Sequence, residues 1–215
     1  MPAGFRHPAA HAAFEEAILR QPAQAVCLSV GGGPTLIHPC LINLNIAPMP
    51  NVRVVGTAYL LPFADSSVDA VYCEAVLEHL EDPRCAVSEI FRVLKPGGQV
   101  FAATPFLQPF HGYPNHYQNF TLNGHRRLFE SAGFVVISSG ACNGPAFALV
   151  DLLSNFIREY VPTKPLSRLG YYALRILGSP FALLDRFLLR SPTAHQLASS
   201  TFVHCRKSTT AAAAA

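Results

Sequence analysis

The chain has 215 residues, a formal net charge of +3, 13% charged residues and 50% hydrophobic residues. That length allows one domain with a complete core. The Lys and Arg residues are scattered, so no nucleic-acid footprint is expected. The low charge leaves little for a solvated surface, against roughly 25% in an average soluble chain. The chain is therefore expected to rest against a partner, a membrane surface or a lipid-like molecule.

In chain order, His11 to Arg20 reads as a short amphipathic helix, with Phe14, Ile18 and Leu19 on one side. It lacks the charged-then-apolar pattern of a leader, so a cytoplasmic location is expected. Val26 to Val30 is an apolar strand that stops at Gly31-Gly32-Gly33-Pro34. Leu41 to Ile46 and Val52 to Gly56 follow as strands, separated by Pro48 and Pro50. Asp69 to Cys73 is a continuous apolar run, as a strand covered on both faces requires. Val87, Ile90, Phe91 and Leu94 recur at helical spacing, so Pro83 to Leu94 is a helix with proline in its first turn. Lys95-Pro96-Gly97-Gly98 is expected to stop it before a fifth strand, Gln99 to Ala103. Thr121 caps a helix running to Ala132. Phe134 to Ser138 and Thr201 to Cys205 are the last strands.

The pattern predicts an α/β fold, a doubly wound Rossmann-like seven-stranded sheet in a single domain over 1–215. Its core is expected over 24–140 and 199–207. A helical insertion falls between the last two strands at about 145–198, and 208–215 form a disordered tail. No apolar run is long enough to span a bilayer. The six cysteines form no C-x-x-C pair, so buried free thiols are expected and no metal-ligand cluster is evident.

Three stretches carry chemistry. Gly31, Gly32 and Gly33 follow a strand, where the missing Cβ atoms let a ligand approach the backbone. The second runs from Leu61-Pro62-Phe63 through Asp69-Ala70-Val71-Tyr72-Cys73-Glu74-Ala75-Val76-Leu77-Glu78-His79 to Arg92-Val93-Leu94-Lys95-Pro96-Gly97-Gly98. A third segment, Pro105 to Thr121, follows the fifth strand and brings aromatic, amide and imidazole side chains into one loop.

Over about Val26 to Phe134 these motifs resemble the class I S-adenosylmethionine-dependent methyltransferases of the type 11 group. The resemblance implies S-adenosylmethionine as cofactor and a small-molecule, lipid or sugar methyl acceptor. It places the cofactor against Gly31, Gly32, Gly33, Asn45, Thr57, Ala58, Leu61, Phe63, Cys73 and Glu74, with Leu61 and Phe63 as an apolar shelf for the adenine. The family has an acidic residue where Ser29, Asn45 and Thr57 stand, and glycine where Thr35 stands. Asn45 would bind the ribose hydroxyls or satisfy local turn backbone. His111 is the candidate base of the acceptor loop, with His116 and Tyr113 behind it. Glu74 and His79 are acid/base candidates, His79 being expected rather as a structural partner at a helix start, and Glu78 as a cap or a solvent-facing charge. A second reading follows from the substituted positions: a catalytically degenerate scaffold, with the greasy insertion near Leu152, Phe156, Tyr171, Leu177 and Phe187 as a peripheral membrane contact.

Overall fold

The computed structural model describes residues 7–112 and 115–209. Tyr113 and residues 210–215 of the expected tail lie outside the described residues.

Seven strands form one sheet in the order β3-β2-β1-β4-β5-β7-β6. They are β1 (Cys27–Val30), β2 (Leu41–Asn45), β3 (Val52–Val55), β4 (Val68–Glu74), β5 (Leu94–Pro105), β6 (Phe134–Asn143) and β7 (Ser200–Lys207). The first five are parallel, and β7 is inserted antiparallel between β5 and β6. The winding reverses between β1 and β4, so a crevice opens at the carboxyl ends of those strands.

Side chains alternate between the two faces of the sheet. On one face Leu28, Val30, Leu44, Val71, Cys73, Val100 and Val203 pack beneath α2 (Pro83–Val93) and α3 (Leu122–Glu130). Ala86, Val87, Ile90 and Val93 are the buried stripe of α2, and Asp82 caps it by accepting from the Arg84 N–H. On the other face the rings of Tyr72, Phe101 and Phe202 stack at 6.0 and 5.9 Å between centroids. Phe14 of α1 (Pro8–Phe14) meets Tyr72 and Phe101 edge-on, and α1 continues into a wider π turn over Glu15–Leu19.

Helix coverage is uneven. No helix intervenes between β1, β2, β3 and β4. Double winding is therefore complete only around the centre and the β5-β7-β6 side, and Ile37, Ile46, Val55 and Leu60 stay exposed.

β5 begins earlier than the sequence pattern predicts. Leu94 already pairs with Val68, and a register shift absorbs Lys95 to Gly98 before pairing resumes at Ala70 and Gln99. A Cβ on Gly98 would lie 2.9 Å from the Lys95 carbonyl and 3.0 Å from the Asp69 carbonyl, so the bulge needs glycine there.

Between β6 and β7 run α4 (Pro145–Tyr160), α5 (Lys164–Ala182) and the short α6 (Asp185–Leu188). The buried Asp185 accepts from the Ala146 and Phe147 N–H groups at 2.9 and 3.0 Å, capping α4 from α6. Arg175 and Asp151 pair between α5 and α4. No helix among the described residues is long and apolar enough to cross a membrane.

Candidate active site

A cleft of about 380 Å³ opens at the carboxyl ends of β1 to β4. Its size falls in the ~300–1,000 Å³ range of small-molecule sites. Val30, Leu44, Ile46, Ala58 and Leu80 give it apolar walls, and Gly31, Asn45, Thr57, Tyr59 and His79 supply polar groups and backbone. No side chain among the described residues plugs it.

Gly31 turns the chain at φ +73°, a conformation that costs little only for glycine. A Cβ there would run into Val76 Cγ2, with Val76 Cβ and Cγ1 at 3.4 Å. Gly32 donates its N–H to the Leu44 carbonyl at 3.1 Å, and a Cβ on Gly33 would face open space. Gly32 and Gly33 do not line the cleft; Gly31 does.

Asn45 reaches the cleft with its amide already engaged on both sides. Nδ2 donates to the Gly32 carbonyl at 3.2 Å, and Oδ1 accepts from the Ala47 N–H at 3.1 Å. Thr57 Oγ1 accepts from the Tyr59 N–H at 3.2 Å, leaving its own hydroxyl proton to donate.

Four expected cofactor residues sit elsewhere. The Leu61 side chain is core; its N–H donates to Glu89 Oε2 at 2.8 Å and its carbonyl accepts from Arg92 at 3.0 Å. The Phe63 carbonyl likewise accepts from Arg92, and its ring packs against the core under α2. The Glu89–Arg92 pair therefore draws this segment onto α2 rather than into the cleft. Cys73 is buried in the same core, and burial pushes its thiol up. Glu74 accepts a hydrogen bond from Tyr72, on the face that α1 covers. Cleft positions outside the expected cofactor set include Tyr59, Val76, His79, Glu81, Asn115 and Tyr117.

The acceptor-loop histidines adjoin this cleft through His79. Parallel pairing of β4 and β5, with Cys73 opposite Ala102 and Glu74 opposite Ala103, delivers the two following loops side by side. The Tyr117 N–H donates to the Glu78 carbonyl at 2.8 Å, and Gln118 Nε2 donates to the Leu80 carbonyl at 3.1 Å. The rings of His79 and His111 are 5.2 Å apart, and those of His111 and His116 are 4.5 Å apart.

The three histidines differ in what their nitrogens do. His116 Nδ1 accepts from the His111 N–H at 3.1 Å, and Nε2 meets Asn119 Oδ1 at 2.6 Å. Because Asn119 Nδ2 donates to two carbonyls, Oδ1 is the acceptor and His116 Nε2 the donor. Both nitrogens are thus occupied, and His116 holds the loop rather than waiting for a proton. His111 Nδ1 lies 3.0 Å from the Pro109 carbonyl and His79 Nδ1 lies 2.6 Å from the Asn115 carbonyl. Carbonyls only accept, so in the neutral rings Nδ1 carries the hydrogen and both Nε2 lone pairs are free.

Both lone pairs converge on Glu78. Its carboxylate is fully buried, contrary to the expected cap or solvent-facing charge, and has no hydrogen-bond partner among the described residues. Glu78 Oε1 lies 3.7 Å from His79 Nε2 and 3.7 Å from His111 Nε2. This carboxylate raises the His111 pKa above the ordinary imidazole value, against the effect of burial and with help from the Pro109 carbonyl. The three donor atoms lie within 4.8 Å of one another, a ligand-like cluster that chain spacing alone does not display.

The strand order and the switch-point cleft define a class I methyltransferase fold. Residues 36–102 match the family model described as a methyltransferase domain. A probable S-adenosylmethionine-dependent methyltransferase of Mycolicibacterium smegmatis is 38% identical over 108 residues, covering 45% of this chain and 40% of the relative. The chain thus spans less than half the length of that curated relative. Among solved structures, the [4+2]-cyclase SpnF aligns over 97% of this chain and 84% of its own, with TM-score 0.59 and 15% identity. Phosphoethanolamine N-methyltransferase 2 of Haemonchus contortus, in complex with S-adenosyl-L-methionine, aligns over 93% of this chain and 52% of its own, with TM-score 0.56 and 18% identity.

Proposed function

We propose that the protein is an S-adenosylmethionine-dependent methyltransferase acting on a small-molecule, lipid or sugar acceptor. The observation that carries this reading is the open cleft at the switch point, with the Gly31 backbone at one side and Asn45 and Thr57 at the ends of β2 and β3. The residues present fit the cofactor: Val30, Leu44, Ile46, Ala58 and Leu80 offer apolar walls to an adenosyl group. Asn45 Oδ1 keeps a second lone pair for a ribose hydroxyl, and the Thr57 hydroxyl has a proton to give. When bound, S-adenosylmethionine supplies a methyl group already activated on a sulfonium. The chain then has to align an acceptor with it, and orientation of this kind lowers a barrier by about 7–11 kcal/mol.

The acceptor enters on this reading beside the 106–121 loop, where His79 forms part of the cleft wall and His111 stands behind it. His116 positions His111 through the loop backbone. The free Nε2 lone pairs of His79 and His111 are the groups able to hold or relieve an acceptor proton.

A lipid-like acceptor is favoured by the exposed face of α4 to α6. Phe156, Leu166, Leu169, Ile176, Leu177 and Phe187 are all exposed there. Six Lys or Arg stand against three Asp or Glu over 145–198. Exposed apolar side chains on a segment with an excess of basic residues suit an anionic membrane surface.

Calorimetric titration of S-adenosylhomocysteine in chelator-treated buffer tests the cofactor reading. Saturable one-to-one binding is expected. No heat at millimolar ligand, also in Asn45→Asp, would favour the scaffold reading, which the engaged Asn45 amide supports. Flotation with anionic liposomes tests the membrane contact, and protein left wholly at the bottom of the gradient refutes it.

A further inference from the structure

We propose that Glu78, His79 and His111 form a binding site for a divalent transition-metal ion at the acceptor side of the cleft. Three observations point there together. First, Glu78 is fully buried, has no hydrogen-bond partner among the described residues, and aims Oε1 at two imidazoles. Second, both imidazoles are held by their Nδ1 atoms on backbone carbonyls, Asn115 for His79 and Pro109 for His111. Metal-binding histidines are oriented in this way, with the far nitrogen fixed and Nε2 left bare. Third, the spacing is that of ligands sharing an ion. Donors around a tetrahedral zinc, with bonds of about 2.0–2.2 Å, stand about 3.4 Å apart. Both carboxylate–imidazole separations are 3.7 Å. A direct imidazolium–carboxylate pair would close to about 2.7–2.9 Å instead.

The donor set selects the ion. Two imidazoles and one carboxylate suit zinc, iron(II), cobalt(II) or manganese(II). Magnesium and calcium prefer all-oxygen shells. Three protein ligands leave positions open, and His111 is half-exposed while His79 reaches the cleft wall. An incoming group therefore has access to the ion.

This site deepens the proposed methyl transfer, and its chemical role rests on that reading. A cation here lowers the pKa of a hydroxyl that reaches it. The acceptor class this selects is an alcohol, phenol or sugar hydroxyl. The hydroxyl proton goes to solvent, and the oxygen lone pair forms the new O–CH3 bond. The C–S bond breaks with its electron pair left on sulfur, giving the neutral thioether. His111 then acts as a ligand, and the cation takes the task of acidifying the acceptor.

The test titrates cobalt(II) into the chelator-treated full chain, read by visible d–d absorption and by calorimetry. One cobalt per chain is expected, displaced by zinc. His111→Ala, on a half-exposed loop, and Glu78→Gln should each weaken cobalt binding by more than about 100-fold. His38 Nδ1 lies 3.0 Å from Cys40 Sγ and is the competing place for adventitious metal. The His38→Ala/Cys40→Ser variant should bind cobalt like the parent. Absence of binding at millimolar cobalt overturns the proposal, as does binding lost in His38→Ala/Cys40→Ser but kept in His111→Ala. Thermal melts of the variants guard against misfolding. Cofactor binding is measured without metal and metal binding without cofactor, so failure of one reading leaves the other separately judged.

Discussion

Replacing Gly31 by alanine tests the floor of the cleft with two separable costs. The φ of +73° is retained by the loop, and a non-glycine residue there costs about 1–2 kcal/mol. The added Cβ also overlaps Val76 Cγ2, and overpacking of this kind costs about 1–3 kcal/mol. The sum, about 2–5 kcal/mol, is survivable for a domain of about 5–15 kcal/mol. Val76→Ala removes the opposing methyl group but leaves the backbone strain. The double variant should therefore recover the overlap part and not the strain part, a favourable coupling of about 1–3 kcal/mol. Urea unfolding of the parent, both single variants and the double variant measures all four corners, provided the denaturant slope stays constant. Because Gly31 and Val76 both line the cleft, Gly31→Ala should also weaken S-adenosylhomocysteine about tenfold or more, and Val76→Ala should restore part of it. Gly31→Ala within about 0.5 kcal/mol of the parent, or a double variant with no coupling, would refute the geometry argued for this turn.

Three further outcomes are expected. Asn45→Asp keeps the Ala47 bond but loses the donor to Gly32; it should cost about 1 kcal/mol of stability and tighten S-adenosylhomocysteine up to about tenfold by calorimetry, through a charged acceptor for the ribose. His125 is buried neutral and its pKa is pushed down to about 3, so the unfolded chain takes up a proton that the folded chain refuses. Stability then falls as pH drops from about 6.5 toward 3, by about 1.4 kcal/mol per pH unit for this proton, and His125→Gln should remove that slope in urea titrations across pH 7 to 5. Asp185→Ala strands the N–H groups of Ala146 and Phe147; it should cost about 1–2 kcal/mol and speed hydrogen exchange at those two amides, and unchanged exchange would refute the capping role.

The strands and α2 were legible because their patterns are local. Asp69 to Cys73 is apolar between turn residues, and Val87, Ile90 and Val93 repeat at helical spacing. The start of β5 was not legible, because Lys95-Pro96-Gly97-Gly98 carries every signal of a stop, and only pairing of Leu94 with Val68 makes it a bulge. Leu61 and Phe63, expected as an apolar shelf with core packing equally open for Phe63, pack in the core for a similar reason. An apolar pair after a turn suits a ligand shelf as well as a core, and what decides is Glu89 and Arg92 binding the Leu61 backbone from α2. His111 was found as a candidate without its partner. Glu78 reads as a surface charge in the chain, yet parallel neighbours β4 and β5 end side by side, so polar residues of the two following loops meet. That adjacency rule, applied to Glu78-His79 and to the loop of His111, was the available signal.

The thinned polar grip and the intact cleft together constrain how this site can bind. Asn45 and Thr57, at and just beyond the ends of β2 and β3, are uncharged, and the Asn45 amide already serves the Gly32 and Ala47 backbone. Binding energy must then come mainly from the apolar walls, at about 25 cal/mol per Å² of surface buried. Apolar walls distinguish shapes well and charges poorly. Chemical discrimination is left to the charged groups at the cleft, Glu81 in its wall and the buried Glu78 carboxylate with its two oriented imidazoles beside it. Among the described residues the Glu78 carboxylate is buried and faces only those two imidazoles, so holding it there costs stability unless an imidazolium or a bound cation meets its charge.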